Sequence, residues 1–69
     1  MTKFGDRLRE AIETHPMNQS TFSARTGISL QNISHYLAGQ RKPGVEVLAE
    51  MVKALPKVNV RWLVTGEKE

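Results

Sequence analysis

Between Thr26 and Leu30 the chain has only Gly27, Ile28 and Ser29, and the segments on both sides read as helix. Asn18 is a strong N-cap for the first, which runs to about Thr26 with Gly27 as its stop. Ser29 caps the second, which reaches Leu37 or Ala38 before Gly39 ends it. Three connecting residues are too few for an antiparallel hairpin of helices. Gly27 takes φ > 0 without strain, so the first helix can end abruptly and the second can leave at a steep angle, with Ile28 plugging the junction. This geometry presents one helix outward while the other braces it.

The rest of the chain is punctuated in the same way. Phe4, Leu8, Ala11 and Ile12 fall on one helical stripe, with Thr2 as expected N-cap, Asp6 as first-turn acid and Pro16 closing the segment near His15. Val45, Leu48, Val52 and Leu55 mark another helix, stopped by Pro56. Asn59 caps a last short one, Val60 to Thr65, which Gly66 terminates. The expected architecture is all-α, a single domain over 1–69 with helices at about 3–14, 19–26, 30–38, 45–55 and 60–65. Sixty-nine residues without a cysteine have no disulfide framework and no Cys-based zinc site, so such a domain depends on well-packed helices or on a partner subunit. Apolar runs never exceed three residues. Neither a membrane span nor a signal peptide is expected, and the cytoplasm is the expected compartment.

Charge is distributed unevenly. Residues 1–13 balance Lys3, Arg7 and Arg9 against Asp6, Glu10 and Glu13. Residues 46–69 balance Lys53, Lys57, Arg61 and Lys68 against Glu46, Glu50, Glu67 and Glu69. The formal excess of +3 therefore sits in residues 14–45, which hold Arg25, Arg41 and Lys42 and no acid. A polyanion-binding face needs this arrangement, because a carboxylate there would repel phosphate.

On a wheel of about 100° per residue, Ser29, Leu30, Ile33, Tyr36 and Leu37 share one side of the third helix. Gln31 and His35 point the opposite way, flanked by Asn32 and Ser34. That outer face carries amides, a hydroxyl and an imidazole and no carboxylate. Gln and Asn can bond adenine in a bidentate manner, and Ser can serve several bases. Taken singly, each is ordinary surface. Their concentration inside the acid-free segment, just before Arg41 and Lys42, points to nucleic acid.

These features resemble the lambda-repressor-like (Cro-type, XRE) helix-turn-helix family over about Phe4 to Glu67. The resemblance rests on Asn18-Gln19 through Phe22, Gly27, Ile28-Ser29, Ile33, Tyr36, Gly39 and Arg41-Lys42-Pro43. Val45-Glu46-Val47-Leu48 and the ending Trp62-Leu63-Val64-Thr65-Gly66-Glu67 extend it. It implies a five-helix DNA-binding domain with the third helix in the major groove of double-stranded DNA. Leu30, Gln31, Ser34 and His35 match positions from which the family reads bases. Gln19 matches a phosphate contact at a helix N-terminus, Asn32 a position near the backbone, and Arg41 and Lys42 the loop that grips flanking phosphates. Ile33 and Tyr36 match core positions.

Four positions depart from the family pattern. Thr26 stands where an aliphatic residue is usual, which implies a weaker core at the end of the second helix. Ile12 and Leu37 stand where many members pair Arg with Glu, so a hydrophobic contact is expected in place of an ion pair. Pro56 replaces a usual Gly, with one extra residue before Trp62, and this bears on the placement of the last helix.

One reading helix of about two turns inspects too few base pairs to find one genomic site, so a homodimer on a pseudo-palindromic operator is expected. Trp62 and Leu63 should point inward, leaving Val58, Val60 and Val64 as candidate dimer contacts. The expected role is a transcriptional regulator of the phage-type or bacterial repressor kind. The competing reading is a small helical protein-interaction module that docks through Trp62, Val64 and Tyr36. Catalysis is not expected. His15 and His35 lie on different elements, His15 reads as a solvated cap, and Asp6 and Glu10 read as solvated charges. No cofactor and no metal are expected.

Overall fold

In a computed structural model, residues 3–67 are described, and they form five α-helices with no strand among them. These are α1 (Phe4–Thr14), α2 (Gln19–Thr26), α3 (Leu30–Ala38), α4 (Val45–Ala54) and α5 (Val60–Thr65). α1 packs on α3 and α5, while α2 packs on α3 and α4. The helices converge on Leu8, Phe22, Ile33, Met51, Leu55 and Leu63, all fully buried. Every helix contributes at least one of these residues or, for Leu55 after α4, its immediate neighbour, so the core is shared rather than built by one pair.

Helix ends follow local chemistry. The side chains of Asn18, Ser29 and Asn59 accept from the amides of Thr21, Asn32 and Trp62 at 2.8, 3.2 and 3.0 Å. Thr2, expected to cap α1, lies outside the described residues; Lys3 occupies the N-cap position and makes no side-chain cap bond. Ile12 and Leu37, which stand where many members place an ion pair, are both buried in the hydrophobic core.

Two interactions hold the first half of α1. At Gly5 the helix presses on the end of α3. A Cβ there would lie 2.9 Å from the Tyr36 carbonyl oxygen and would overlap the carbonyl of Leu37. Arg7 is only 7% exposed. Its Nε donates to the Leu63 carbonyl at 3.0 Å and its Nη2 to that of Val64 at 3.3 Å. The guanidinium thereby serves carbonyls at the C-terminal end of α5, where the helix dipole favours a cation. Arg7 lies at the edge of the Phe4–Ile12 stripe, and a count of charges alone treats it as surface.

His15 is the C-cap of α1, as expected, but its half-buried ring is bonded rather than solvated. Its Nε2 accepts the Lys57 amide at 3.0 Å, so Nδ1 carries the proton and donates to the Ala11 carbonyl at 2.8 Å. The ring ties the end of α1 to the turn before α5. Pro56 is accommodated in that turn, where the Val58 amide bonds the Leu55 carbonyl at 3.0 Å, and Leu63 still reaches the core.

Candidate nucleic-acid interface

The junction between α2 and α3 is held from inside. Gly27 sits at φ 76°, in the left-handed region that favours glycine, and its amide closes on the Ser23 carbonyl at 2.9 Å. Thr26 is buried and does more than fill space. Its hydroxyl donates to the Phe22 carbonyl at 2.8 Å and accepts the Ile28 amide at 3.2 Å. The Ser23 hydroxyl donates to the Ile28 carbonyl at 2.5 Å. The expected weak point is therefore a hydrogen-bonded clasp, because a hydroxyl there satisfies backbone groups that an aliphatic side chain would leave unpaired. Ile28 plugs the junction as expected and is 9% exposed.

With its base fixed, α3 turns one side inward. Ile33, Tyr36 and Leu37 are buried, while Gln31 and Ser34 are exposed. Leu30 departs from the wheel: it is 48% exposed and stands with the outer face rather than with the core. At the first residue of a helix, the side chain can lie over the chain entering the helix instead of over a preceding turn. His35 is half-buried, not fully outward. Its Nδ1 is sealed off without a partner among the described residues, which leaves Nε2 as the ring nitrogen able to meet an outside group. Asn32 is half-buried, and its Oδ1 accepts from Arg41 Nη1 at 3.1 Å. That bond ties the loop cation to the helix. Lys42 is exposed beside Arg41, and Gln19 is exposed on the first turn of α2.

The remaining candidates lie elsewhere. Val60 and Val64 are 45% and 44% exposed on α5, whereas Val58 is half-buried against the core, as is Trp62. Tyr36, at 5% exposure, has its ring in the core and offers no apolar docking face beside Trp62 and Val64. No group of three His, Cys, Asp or Glu side chains able to hold a metal occurs among the described residues. None of the described helices is long and apolar enough to cross a membrane.

A steep two-helix unit, locked at its turn and backed by three further helices, defines a helix-turn-helix domain. The profile of the HTH_3 family, described as helix-turn-helix, matches residues 8–63, and the chain belongs to that family of XRE or lambda-repressor-like domains. It is a DNA-binding regulatory family, and the chain is a DNA-binding helix-turn-helix domain of that type. No curated protein and no solved structure matches the chain.

Two features of the interface were not read from the sequence. The Asn32–Arg41 bond links residues nine apart through a loop whose path periodicity does not specify. The clasp by Ser23 and Thr26 was visible only as two hydroxyl residues flanking the turn, a signal that becomes specific once the turn geometry is known.

Proposed function

We propose that this domain is a sequence-specific transcriptional regulator of the repressor kind. It binds a pseudo-palindromic operator as a homodimer, with α3 in the major groove. Leu30, Gln31, Ser34 and His35 meet base edges, His35 through Nε2. Gln19, Asn32, Arg41 and Lys42 hold the flanking phosphates, with Asn32 also steering Arg41. Repression follows from occupancy of the promoter. Val60 and Val64 are the surface through which two copies meet.

The observation that carries this reading is the outer face of α3, with Gln31 and Ser34 exposed, no carboxylate on the helix, and a cation bonded to it at 3.1 Å. Charged groups on phosphates supply grip, and neutral donors and acceptors supply choice among bases. The test is binding to random duplex DNA across a salt series. The protein should bind at about micromolar dissociation constant or tighter at low salt, and log K should fall linearly with log salt. Replacing both Arg41 and Lys42 by alanine should flatten that slope by about 0.9 for each phosphate the subunit no longer neutralises. A slope that does not move while affinity falls makes the pair structural. Sedimentation with a selected operator should show two chains per duplex; one chain on a full-affinity site rules out the dimer.

A further inference from the structure

Because Gly5 brings α1 onto the end of α3, the start of α1 stands beside the loop that carries Arg41 and Lys42. The two segments enclose a hollow of about 200 Å³. Lys3, Arg41 and Lys42 all line it, and no carboxylate does. Asp6 lines an adjoining hollow over Leu37 and Ala38 and forms no ion pair among the described residues.

Phe4 and Tyr36 line the same hollow. Tyr36 is 5% exposed, and its hydroxyl bonds to no described residue. The oxygen is not sealed inside the protein either, since His35 Nδ1 is the one fully buried side-chain atom without a partner among the described residues. A phenol that lines a cationic hollow, with its ring in the core and its hydroxyl bonded to no described residue, is a donor with no internal acceptor. The backbone adds to this. α1 is eleven residues long and has no side-chain cap at its N-terminus, so its first amides are left to outside acceptors, and Lys3, Phe4 and Gly5 at that end line the hollow.

We propose that this hollow seats a phosphate group of the duplex backbone, with Lys3 and the Tyr36 hydroxyl as contacts beside Arg41 and Lys42. The proposal rests on the DNA-binding reading and deepens it by carrying the footprint past α3 to the start of α1. A phosphodiester has the required chemistry: one negative charge, and non-bridging oxygens that accept several hydrogen bonds. Lys3 and Arg41 approach from opposite segments, and the phenol and the α1 amides donate between them.

Two variants test the seat. Tyr36→Phe keeps the buried ring and removes only the donor; Lys3→Gln keeps length and removes charge. Across a salt series, Lys3→Gln should flatten the slope of log K against log salt by about 0.9 per subunit. Tyr36→Phe should weaken operator and random duplex alike, by about threefold to tenfold, with the thermal midpoint unchanged. In parallel, inorganic phosphate is titrated into the wild type while the amide resonances of Phe4, Gly5 and Gly39 are followed. Saturable shifts that disappear in Lys3→Gln are expected. If the wild type binds duplex with steep salt dependence and both variants match it, the seat is overturned while the DNA-binding reading stands. Phosphate shifts that saturate equally in all three proteins also overturn it. If the shifts depend on Lys3 but the wild type binds no duplex, the anion seat stands and the DNA-binding reading fails.

Discussion

Replacing Gly5 by alanine sets helix propensity against packing, because the two predict opposite signs. In a helix free of neighbours the change is favourable by about 1 kcal/mol, since glycine loses more backbone entropy on ordering. Here the new methyl would stand 2.9 Å from the Tyr36 carbonyl oxygen and overlap the Leu37 carbonyl. Both obstacles are backbone of α3, so no side-chain rotation relieves the clash, and the helices must separate. Overpacking of this kind costs about 1–3 kcal/mol, and a backbone obstacle puts it at the upper end. The net is a loss of about 2 kcal/mol, which for a domain of this size lowers the thermal midpoint by about 8–16 °C. Thermal unfolding followed by helical circular dichroism reads it directly. An unchanged or raised midpoint would refute the close approach of α1 to α3. Because that approach also positions Lys3, phosphate binding at the start of α1 should weaken in the same variant.

Arg7→Ala removes the bonds from a charged donor to the Leu63 and Val64 carbonyls, each worth about 1.5–3 kcal/mol, so the urea midpoint should fall by the equivalent of about 3–6 kcal/mol. A loss below about 1 kcal/mol would mean that α5 docks without it. Thr26→Val keeps shape but strands the Ile28 amide, and should cost about 1–2 kcal/mol in the same assay; an unchanged midpoint would contradict the clasp at the turn. Gln31→Ala should cost about 1–3 kcal/mol on the best operator and leave random duplex almost untouched. Equal losses on both would sink its base-reading role.

The helices were legible in the sequence because their ends are written in local chemistry: Asn18, Ser29 and Asn59 cap them, and their side chains do bond the amides expected of caps. The buried sides of α1 and α3 followed from periodicity, as Leu8, Ile12, Ile33 and Leu37 show. What periodicity could not deliver was long-range polar pairing. Arg7 meets carbonyls 56 and 57 residues away, and His15 accepts an amide 42 residues on. Nothing in the local pattern of either residue announces its partner. Leu30 was misplaced on the wheel because a wheel treats the first residue of a helix like one in its interior, and no preceding turn lies beneath it. The pairing of Asn32 with Arg41 depends on the path of the loop after α3, and the placing of Lys3 and Tyr36 on one hollow on how α1 crosses α3. That crossing is set by Gly5, which carries no hydropathy signal at all.

The central claim is that the outer face of α3 chooses among base pairs, and selection of bound duplexes from a random pool tests it most directly. The wild type should enrich an inverted repeat whose half-site centres lie about one helical turn apart. Gln31→Ala should relax preference at one or two positions in each half-site and leave the spacing intact. A wild-type pool that stays random after repeated rounds, or a Gln31→Ala pool identical to that of the wild type, would contradict the claim.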